Sequence, residues 1–406
     1  MESVLRYLDW TSVGLALLGG LLSLVLLEVF RLNSSRSRIP PGPKPLLFVG
    51  NLPQLMKDPM AFIRSMAKYG EMSSMYLGRK PVILLNNMDI MKEAFVQNGA
   101  VFAGRPYIPL LNWISNGFGI VMVTYGIPWK QQRRFALHTL RNFGLGKKTV
   151  EERVAEEARH LIREILEQEG KTFYPIHPIM NAVSNIICSI IFGDRFEYDD
   201  KRFAKLLEIL NENMRLGGSA VGRVTTSKRA PDDKRCHGEI VQVLGFDRSA
   251  CMDDRAHLPY TLATVHEIQR WANVVPLSVL HQTTQPTQLR GCHLPKGTEI
   301  LPNLTAILTD PEHWKHPDTF NPENFLDEKG QFCKNDFFLP FSLGPRACLG
   351  ESLAKTELFI FFTSLLQQLR FSWPPGSPHP NMDGIVGIVR SPFPFNTVCH
   401  SRETTH

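Results

Sequence analysis

Residues 341–350 read Phe341-Ser-Leu-Gly-Pro-Arg-Ala-Cys-Leu-Gly350, and a predicted helix, Glu351–Leu369, follows them directly. Cys348 therefore lies just before a helix N-terminus, where backbone N–H groups and the helix dipole favour a thiolate. A thiolate that N–H groups stabilise, next to the cation Arg346, has the chemistry of an axial ligand to porphyrin iron. The alternative is a buried structural cysteine, which is the commoner fate of a single cysteine.

Five positions of this stretch fit the pattern F-x-x-G-x-R-x-C-x-G: Phe341, Gly344, Arg346, Cys348 and Gly350. Gly344 permits a tight turn, and Gly350 lets the backbone pass close to a flat group. The pattern resembles the haem-binding loop of the cytochrome P-450 superfamily. The resemblance implies that Cys348 is the proximal ligand of the iron in haem b and that Arg346 pairs with a haem propionate.

Glu267-Ile-Gln-Arg270 places an acid and a base on one face of a predicted helix. By itself this pair is interpreted as a solvated ion pair that contributes almost nothing to stability. The resemblance implies instead that the pair locks onto the later segment Phe320-Asn-Pro-Glu-Asn-Phe325, which contains Glu323. Asn324 stands where many family members have arginine, so the usual Glu–Arg–Arg triad would lack its third member.

Trp129-Lys-Gln-Gln-Arg133 places an indole above a guanidinium, because side chains four residues apart share a helix face. Both groups can donate to a carboxylate, and an aromatic–cation pair at the surface is the alternative. The family resemblance makes both residues propionate ligands. It also implies haem-edge contacts for Arg105, in Phe102-Ala-Gly-Arg105, and for His281, for which a satisfied role in the core is the alternative.

An uncharged run from Trp10 to Leu27, with the apolar residues just after it, is long enough to span a bilayer. A cleaved signal peptide is the alternative, but the run is long for one and no A-x-A site follows. Three arginines follow the span, Arg31, Arg36 and Arg38. This excess of positive charge predicts a cytosolic body, in the endoplasmic reticulum membrane if the resemblance holds.

The composition is that of a folded protein without a nucleic-acid partner. Its 45 Lys+Arg against 39 Asp+Glu give a net charge of only +6, which is far from a nucleic-acid-binding arm. A hydrophobic content of 43% excludes global disorder. The seven cysteines are scattered, odd in number and without CxxC or CxxCH spacing, which argues against a disulfide framework, a zinc ribbon and a c-type haem.

Hydrophobic periodicity predicts a mainly α fold with a small β part, which by resemblance is an incomplete cytochrome P-450 fold with an N-terminal transmembrane helix. Met72–Leu77 and Pro81–Asn86 predict a hairpin around Gly78-Arg79-Lys80. We divide the chain into a membrane anchor (1–30), a basic and proline-rich linker (31–45), a haem-thiolate monooxygenase domain (46–400) and a polar tail (401–406). The prolines of Ile39–Pro45 predict a stiff spacer between membrane and body.

Leu216–Gly238 is polar, charged and aperiodic, and it is long for a loop inside a compact body. A surface linker is the ordinary interpretation. However, the chain is shorter than the family it resembles by on the order of a hundred residues, and we place the loss here. In the family this region holds the helix across the distal haem face, whose acid–Thr pair relays protons. Glu403-Thr404-Thr405 lies in the tail and cannot replace it, so no catalytic residue is identified.

The resemblance is greatest to microsomal family-2 members of the J type, through Asn142–Lys148, Asn181–Cys188 and Leu294–Gly297. It implies a monooxygenase that inserts one oxygen atom from O2 into lipophilic substrates, fatty acids and xenobiotics. Electrons would come from NADPH through a flavoprotein reductase, and cytochrome b5 and the lipid membrane are further expected partners.

The lost region leaves a second hypothesis open. The chain would then be a shortened isoform or an incomplete gene model, catalytically impaired, anchored, and able to bind haem weakly or not at all. The expected walls of a substrate pocket are Tyr107–Phe118, Val274–Leu280 and Gly387–Val389.

Overall fold

The computed structural model describes residues 10–143, 148–218, 233–377, 384–386 and 389–402, and every structural statement concerns these residues. The α-helices are α1 (Trp10–Arg36), α2 (Leu52–Lys57), α3 (Pro59–Ser65), α4 (Met88–Lys92), α5 (Gly99–Phe102), α6 (Pro109–Ser115), α7 (Ile127–Asn142), α8 (Lys148–Leu166), α9 (Ile176–Ile191), α10 (Lys201–Gly218), α11 (Asp233–Leu244), α12 (Pro259–Ala272), α13 (Leu304–Leu308) and α14 (Glu351–Gln368). Short 3-10 helices cover Met66–Tyr69, Met252–His257, Pro322–Phe325 and Gly344–Arg346, and a π turn covers Glu93–Gln97. The strands are β1 (Met72–Leu77), β2 (Lys80–Leu85), β3 (Thr172–Phe173), β4 (His281–Gln282), β5 (Thr287–Leu289), β6 (Cys292–Leu294), β7 (Glu299–Pro302), β8 (Leu369–Ser372), β9 (Gly384–Val386), β10 (Arg390–Pro392) and β11 (Thr397–Ser401).

The main sheet has four strands in the order β1-β2-β7-β4. β1 and β2 form the expected hairpin, with Leu77 opposite Lys80 and Gly78 in the left-handed region at φ +62°. β7 pairs in parallel with β2, so that Ile300 lies beside Ile83, and both side chains are almost fully buried. The predicted hairpin is therefore confirmed, and it forms the edge of a sheet whose other strands come from the second half of the chain.

The helices of the body pack around α14, which follows the cysteine loop. α8 is its largest neighbour, because Val154, Leu161 and Ile165 are buried on one face of α8 at helical spacing. α11 and α12 also pack against α14. The mainly α fold with a small β part is thus confirmed, and this helical core holds the start of α14 in place.

α1 is the one described helix that is long and apolar enough to cross a membrane, by length and composition. Its leucines are exposed on all sides, among them Leu15, Leu18 and Leu22. A helix that is apolar all round needs an apolar environment, and almost none of α1 is buried in the protein. α1 is therefore a candidate membrane anchor, although it continues nine residues beyond Leu27, to Arg36.

The proline-rich linker differs from the expected spacer. Ser74 in β1 donates its backbone N–H to Pro41 O at 2.9 Å and its hydroxyl to Pro40 O at 2.6 Å. Gly42 lies against the carbonyl of Ser74 so closely that a Cβ atom at Gly42 would overlap it. The prolines therefore lie along β1 as part of the surface of the body.

The segment Leu216–Gly238 is helical at both ends, which corrects the prediction of an aperiodic loop. α10 continues to Gly218, and α11 begins at Asp233 with Cys236 and Ile240 buried. Residues 219–232 lie outside the described residues. So do Glu403-Thr404-Thr405, residues 387–388 of the expected pocket wall and the charged residues before Trp10.

Candidate functional site: the cysteine loop and its arginine cluster

Close backbone packing fixes the start of the cysteine loop. Gly344 has φ +78°, and a Cβ atom there would overlap the carbonyl oxygen of Phe95. A Cβ atom at Gly99 would come within 2.8 Å of the Pro345 ring. Only glycine fits these two positions, so the loop lies directly on the turn that follows α4.

Cys348 is held by its neighbours while its side chain stays exposed. Its backbone N–H donates to Phe341 O at 3.0 Å, and Arg133 Nη2 donates to Ala347 O at 2.7 Å. Gly350 is the N-cap residue of α14, and a Cβ atom there would meet no protein atom within 4 Å. The thiol therefore stands on a fixed loop ahead of a helix N-terminus, with room for a flat group beside Gly350. This arrangement fits the expected iron ligand and does not fit a buried structural cysteine.

Arg346 lies almost buried behind this loop. Its guanidinium donates to Ala103 O at 2.9 Å, Ile120 O at 2.9 Å and Val123 O at 2.6 Å. It also stacks over the ring of Trp129, at 4.1 Å from the ring centroid. Trp129 Nε1 donates to the same Ile120 oxygen at 2.9 Å, so both expected propionate ligands converge on one acceptor.

Arg105 joins the same cluster from the other side. Its Nε donates to Val121 O at 2.9 Å, and its Nη1 donates to Leu280 O at 2.8 Å and Val279 O at 3.2 Å. The segment 120–123 thus supplies carbonyl oxygens to Arg105, Trp129 and Arg346. The structure therefore brings these three predicted residues together, with Arg133 on the neighbouring carbonyl of Ala347.

The cluster carries positive charge that no anion balances within the described residues. Every hydrogen bond of Arg105, Arg133 and Arg346 goes to a neutral backbone carbonyl. Burial, together with the nearby Arg346 charge, lowers the pKa of Arg105 to about 9. Burial and Arg133 lower the pKa of Arg346 to about 10. Three half-buried or buried cations at one place call for an anionic ligand, and the two propionates of haem have the matching charge.

His281 occupies the core position that we considered as an alternative. It is buried, its Nδ1 lies 2.8 Å from Phe102 O, and its ring packs on Phe95 at 4.4 Å between centroids. Burial, with the Arg105 charge as a smaller cause, lowers its pKa to about 3. His281 is therefore a neutral histidine that positions the loop under Phe95, and its contact with the haem edge stays a prediction.

The Glu267–Arg270 pair is fully buried, so the interpretation as a solvated surface pair is wrong. The two side chains form two hydrogen bonds of 2.7 Å, and both have 0% side-chain exposure. Arg270 also donates to four backbone carbonyls: those of Leu308, His316, Pro317 and Thr319. The pair therefore ties α12 to the segment 308–319.

Asn324 takes the place of the arginine that the sequence lacks as third member of the Glu–Arg–Arg triad. Its Nδ2 donates to both carboxylate oxygens of Glu267, at 3.3 and 3.2 Å, and the Asn321 N–H donates to Glu267 at 2.8 Å. A neutral amide thus takes the donor role that a cation would have. Glu323 is not part of this lock, because its carboxylate is 62% exposed and lies 3.4 Å from His316 Nε2.

Sequence reasoning missed several parts of the site. The acceptors in segment 120–123 and at Phe95 are backbone carbonyls, which every residue has, so no residue type in the sequence points to them. Outside the site, on α14, Glu357 was also missed: it is buried, its Oε1 has no partner among the described residues, and burial raises its pKa to about 8. The sequence could have indicated this buried acid, because Glu357 lies among apolar residues in α14.

The expected pocket wall Tyr107–Phe118 lies beside the arginine cluster. A cavity of about 350 Å³ is lined by Arg105, Tyr107, Leu111, Met122 and Val123, among others. The apolar side chains of this wall are strongly exposed, with Tyr107 at 72% and Trp113 at 79%. An open apolar surface therefore adjoins the cations.

The same sequence matches known proteins over most of its length. A family model described as Cytochrome P450 matches residues 40–228 and 232–398. Cytochrome P450 2J5 of Mus musculus is 36% identical, over 90% of this chain and 93% of its own length. Cytochrome P450 2H1 of Gallus gallus is 34% identical (96% and 99%), and cytochrome P450 2C5 of Oryctolagus cuniculus is 34% identical (86% and 91%).

The mouse relative is also longer than this chain. The alignment with the mouse protein extends over 468 residues but contains 90% of the 406 residues here, about 365, so roughly a hundred residues of that relative have no counterpart. The family model breaks at residues 229–231, inside Leu216–Gly238.

Proposed function

This chain belongs to the cytochrome P450 family, and we propose that it is a membrane-anchored haem-thiolate monooxygenase. The observation that supports the proposal is the cluster of Arg105, Arg133 and Arg346 beside Cys348, whose cations donate only to neutral carbonyls among the described residues. Such a cluster next to an exposed thiol is suited to a flat dianion with a metal at its centre.

In this proposal Cys348 binds the iron of haem b, while Arg105, Trp129, Arg133 and Arg346 hold the propionates. When bound, the haem supplies the activation of O2 from which one oxygen atom enters the substrate. The protein contributes by holding the iron-binding side chain in a fixed position. The Phe341 carbonyl and the packing of Gly344 on Phe95 hold Cys348 at one place. The Glu267 network holds the segment 308–325, which leads into this loop.

Electrons would enter through a basic surface on α7. Lys130, Arg134, His138 and Arg141 are exposed there, next to Arg133 and the Cys348 loop. A cationic surface attracts an acidic partner and speeds its encounter. We assign this surface to an NADPH-dependent flavoprotein reductase, with cytochrome b5 as an alternative donor at the same place.

The substrate would be a small lipophilic molecule. The wall Tyr107–Phe118 is apolar and open, and Val274 on a second expected wall is 49% exposed. Apolar walls with few polar groups favour fatty acids and other lipophilic compounds over charged metabolites.

We place the body on the cytosolic side of the endoplasmic reticulum membrane, held by α1. Protease added to sealed microsomes should digest the chain after about Arg31, and a protected body would contradict this topology. Glycosylation at Asn303-Leu-Thr305 would contradict it too, because that sequence would then have been exposed to the lumen.

A second candidate function is an impaired, shortened form. Its support is the break of the family match at 229–231 and the roughly hundred residues of the mouse relative without counterpart. A central helix contributes many buried apolar side chains, each stabilising by about 1.5–3 kcal/mol. Without it, the haem would have no wall and no proton relay on its distal face.

Reconstitution with reductase and NADPH on a fatty acid separates the two functions. The comparison is with a variant in which the missing region is restored from a full-length relative. The monooxygenase proposal expects the same product per NADPH from both proteins. Peroxide in place of product from the short chain, with product restored in the long one, would establish the impaired form.

A further inference from the structure

A cavity of about 690 Å³ adjoins the cysteine loop on a side that Arg105, Arg133 and Arg346 do not line. Its walls are the 3-10 helix Met252–His257, α12, the first half of α14 and the segment 331–342, which leads into the loop. A cavity of this volume accommodates a small organic molecule. It is therefore a candidate binding site that is distinct from the arginine cluster.

Aromatic side chains form the apolar part of the lining. Phe332, Phe338, Phe341 and Phe359 all line the cavity. The ring of His266 on α12 packs on Phe332 at 4.7 Å and on Phe338 at 5.1 Å between centroids. These rings offer flat apolar surfaces, against which an aromatic body packs well.

The lining also holds a buried acceptor that lacks a donor. Gln269 is 8% exposed, and its Nε2 donates to Val265 O at 3.2 Å. Its Oε1 has no hydrogen-bond partner in the part of the chain that the structure describes. One turn earlier on α12, His266 Nδ1 lies 2.8 Å from Leu262 O and must carry the hydrogen, so Nε2 of the neutral ring is a second acceptor. Because an unpaired buried acceptor costs stability, this wall calls for a ligand with an N–H or O–H group.

The charged residues of the lining are three cations and two acids: Arg255, Lys334, Lys355, Asp253 and Glu351. Lys355 is paired with Glu351 at 2.6 Å, whereas Arg255 and Lys334 are exposed at the surface. Burial is the main cause that lowers the pKa of His266 to about 4, and the charges of the three cations contribute to the shift. The interior therefore experiences a positive potential, which favours a ligand with a negative group.

We propose that this cavity binds a small aromatic anion that carries an N–H or O–H donor. Its rings lie against the phenylalanine side chains, and its donor points to Gln269. Its carboxylate or sulfonate lies at the mouth, near Lys334 and Arg255. The Phe341 carbonyl accepts the Cys348 N–H at 3.0 Å, so a ligand against Phe341 contacts the residue that positions Cys348.

Diphenylamine-4-sulfonate is a suitable probe, because it combines two aromatic rings, one N–H and one sulfonate. Two analogues each lack one of these features. In 4-phenoxybenzenesulfonate an ether oxygen replaces the N–H, and 4-(methylsulfonyl)diphenylamine keeps the N–H but has no charge.

The reporter is a trifluoromethyl label on Cys333, an exposed thiol between the lining residues Phe332 and Lys334. The full chain is labelled in micelles of a non-ionic detergent, and the Cys333 signal is assigned by its loss in Cys333→Ser. Each compound is then titrated by fluorine NMR, which gives its dissociation constant at this cavity.

We expect diphenylamine-4-sulfonate to shift the Cys333 signal saturably. The ether analogue should bind about fivefold more weakly, because it brings no donor to Gln269. In Gln269→Met, which removes the unpaired acceptor at similar volume, the two sulfonates should bind equally. The uncharged analogue should bind about two- to fivefold more weakly than the probe, and Lys334→Gln should reduce this difference. Lys171→Gln, at an exposed lysine outside the cavity, should change neither comparison.

No saturable shift, or equal affinity of the natural chain for the three compounds, would overturn the proposal. A preference for the N–H compound that persists in Gln269→Met would overturn it as well. Zinc protoporphyrin, a flat dianion, should leave the bound probe in place. Displacement by it would assign the probe to the arginine cluster and show that the second site is wrong.

An acidic surface of a partner protein is the competing occupant. If poly-glutamate shifts the Cys333 signal and diphenylamine-4-sulfonate does not, the cavity belongs to a protein interface and the small-molecule site is wrong.

Discussion

Changing Asn324 to aspartate replaces one NH2 group by oxygen and should destabilise the fold strongly at neutral pH. Asn324 Nδ2 donates to both oxygens of Glu267, at 3.2 and 3.3 Å, where Glu267 and Arg270 are fully buried. The replacement brings a second carboxylate oxygen to these distances. Asn324 Oδ1 accepts the His316 N–H at 2.9 Å, and this bond is kept in the variant.

The size of the effect follows from the distance between the charges. Two unit charges 3.2 Å apart repel by about 5 kcal/mol at an effective dielectric constant of ~20. Disrupting a buried ion pair costs about 3–5 kcal/mol, compared with a total stability of about 5–15 kcal/mol. We therefore expect a loss of about 3–5 kcal/mol at pH ~7.

The loss should depend on pH in a definite direction. Repulsion from Glu267 raises the pKa of the introduced carboxyl in the folded protein above its unfolded value of about 3.9. A carboxyl whose pKa is raised by folding costs stability as the pH rises between the two values, by about 1.4 kcal/mol per pH unit. The variant should thus be close to the natural chain near pH ~4 and much weaker near pH ~7.

Urea unfolding in detergent micelles, followed by far-ultraviolet circular dichroism at both pH values, measures this loss. Asn335→Asp is the matched control, because Asn335 Nδ2 donates to His313 O at 2.9 Å at the surface. The control should change the free energy of unfolding by less than about 0.5 kcal/mol. Equal losses in the two variants, or a loss in Asn324→Asp that is the same at both pH values, would refute the reasoning.

Two further substitutions test the packing of the cysteine loop and a buried acid on α14. Gly344→Ala should cost more than about 2 kcal/mol in thermal unfolding, because the new Cβ overlaps the Phe95 carbonyl at a positive φ. Gly376→Ala, at φ +73° with no atom within 4 Å, should cost only about 1 kcal/mol, and equal costs would contradict the packing argument. Folding raises the pKa of Glu357 to about 8, so the natural chain loses stability as the pH rises from about 5 to about 8. Glu357→Gln removes this loss. It should therefore raise the melting temperature near pH ~8 and leave it unchanged near pH ~5. A melting temperature that varies with pH equally in both proteins would show that Glu357 is not the cause.

Much of the fold, and the loop at the centre of the candidate site, could be predicted from local sequence patterns. The hairpin could be predicted because Gly78 and the alternating strands around it are local signals. The Cys348 loop could be predicted because five residues at fixed spacing resemble the haem-binding loop of the family, and the positive φ of Gly344 agrees with the turn expected there. The helices α7, α8 and α9 follow from apolar side chains at helical spacing.

What could not be predicted depends on contacts between distant parts of the chain. The neutral donor Asn324 replaces a cation only because the backbone N–H of Asn321 and two bonds from Arg270 complete the shell of Glu267. The prolines of the linker lie on β1 through Ser74, which no proline pattern reveals. The burial of Glu267 and Arg270 likewise arises from the segment 308–319, far along the sequence.

The carbon monoxide difference spectrum of the reduced protein tests the central claim most directly. The full chain is loaded with haem and compared with Cys348→Ala and with Cys333→Ala, which removes another exposed thiol. We expect the thiolate-type Soret band in the natural chain and in Cys333→Ala, and its loss in Cys348→Ala. An unchanged band in Cys348→Ala would contradict the assignment of Cys348 as the iron ligand. The absence of the band from the natural chain would contradict an assembled haem site.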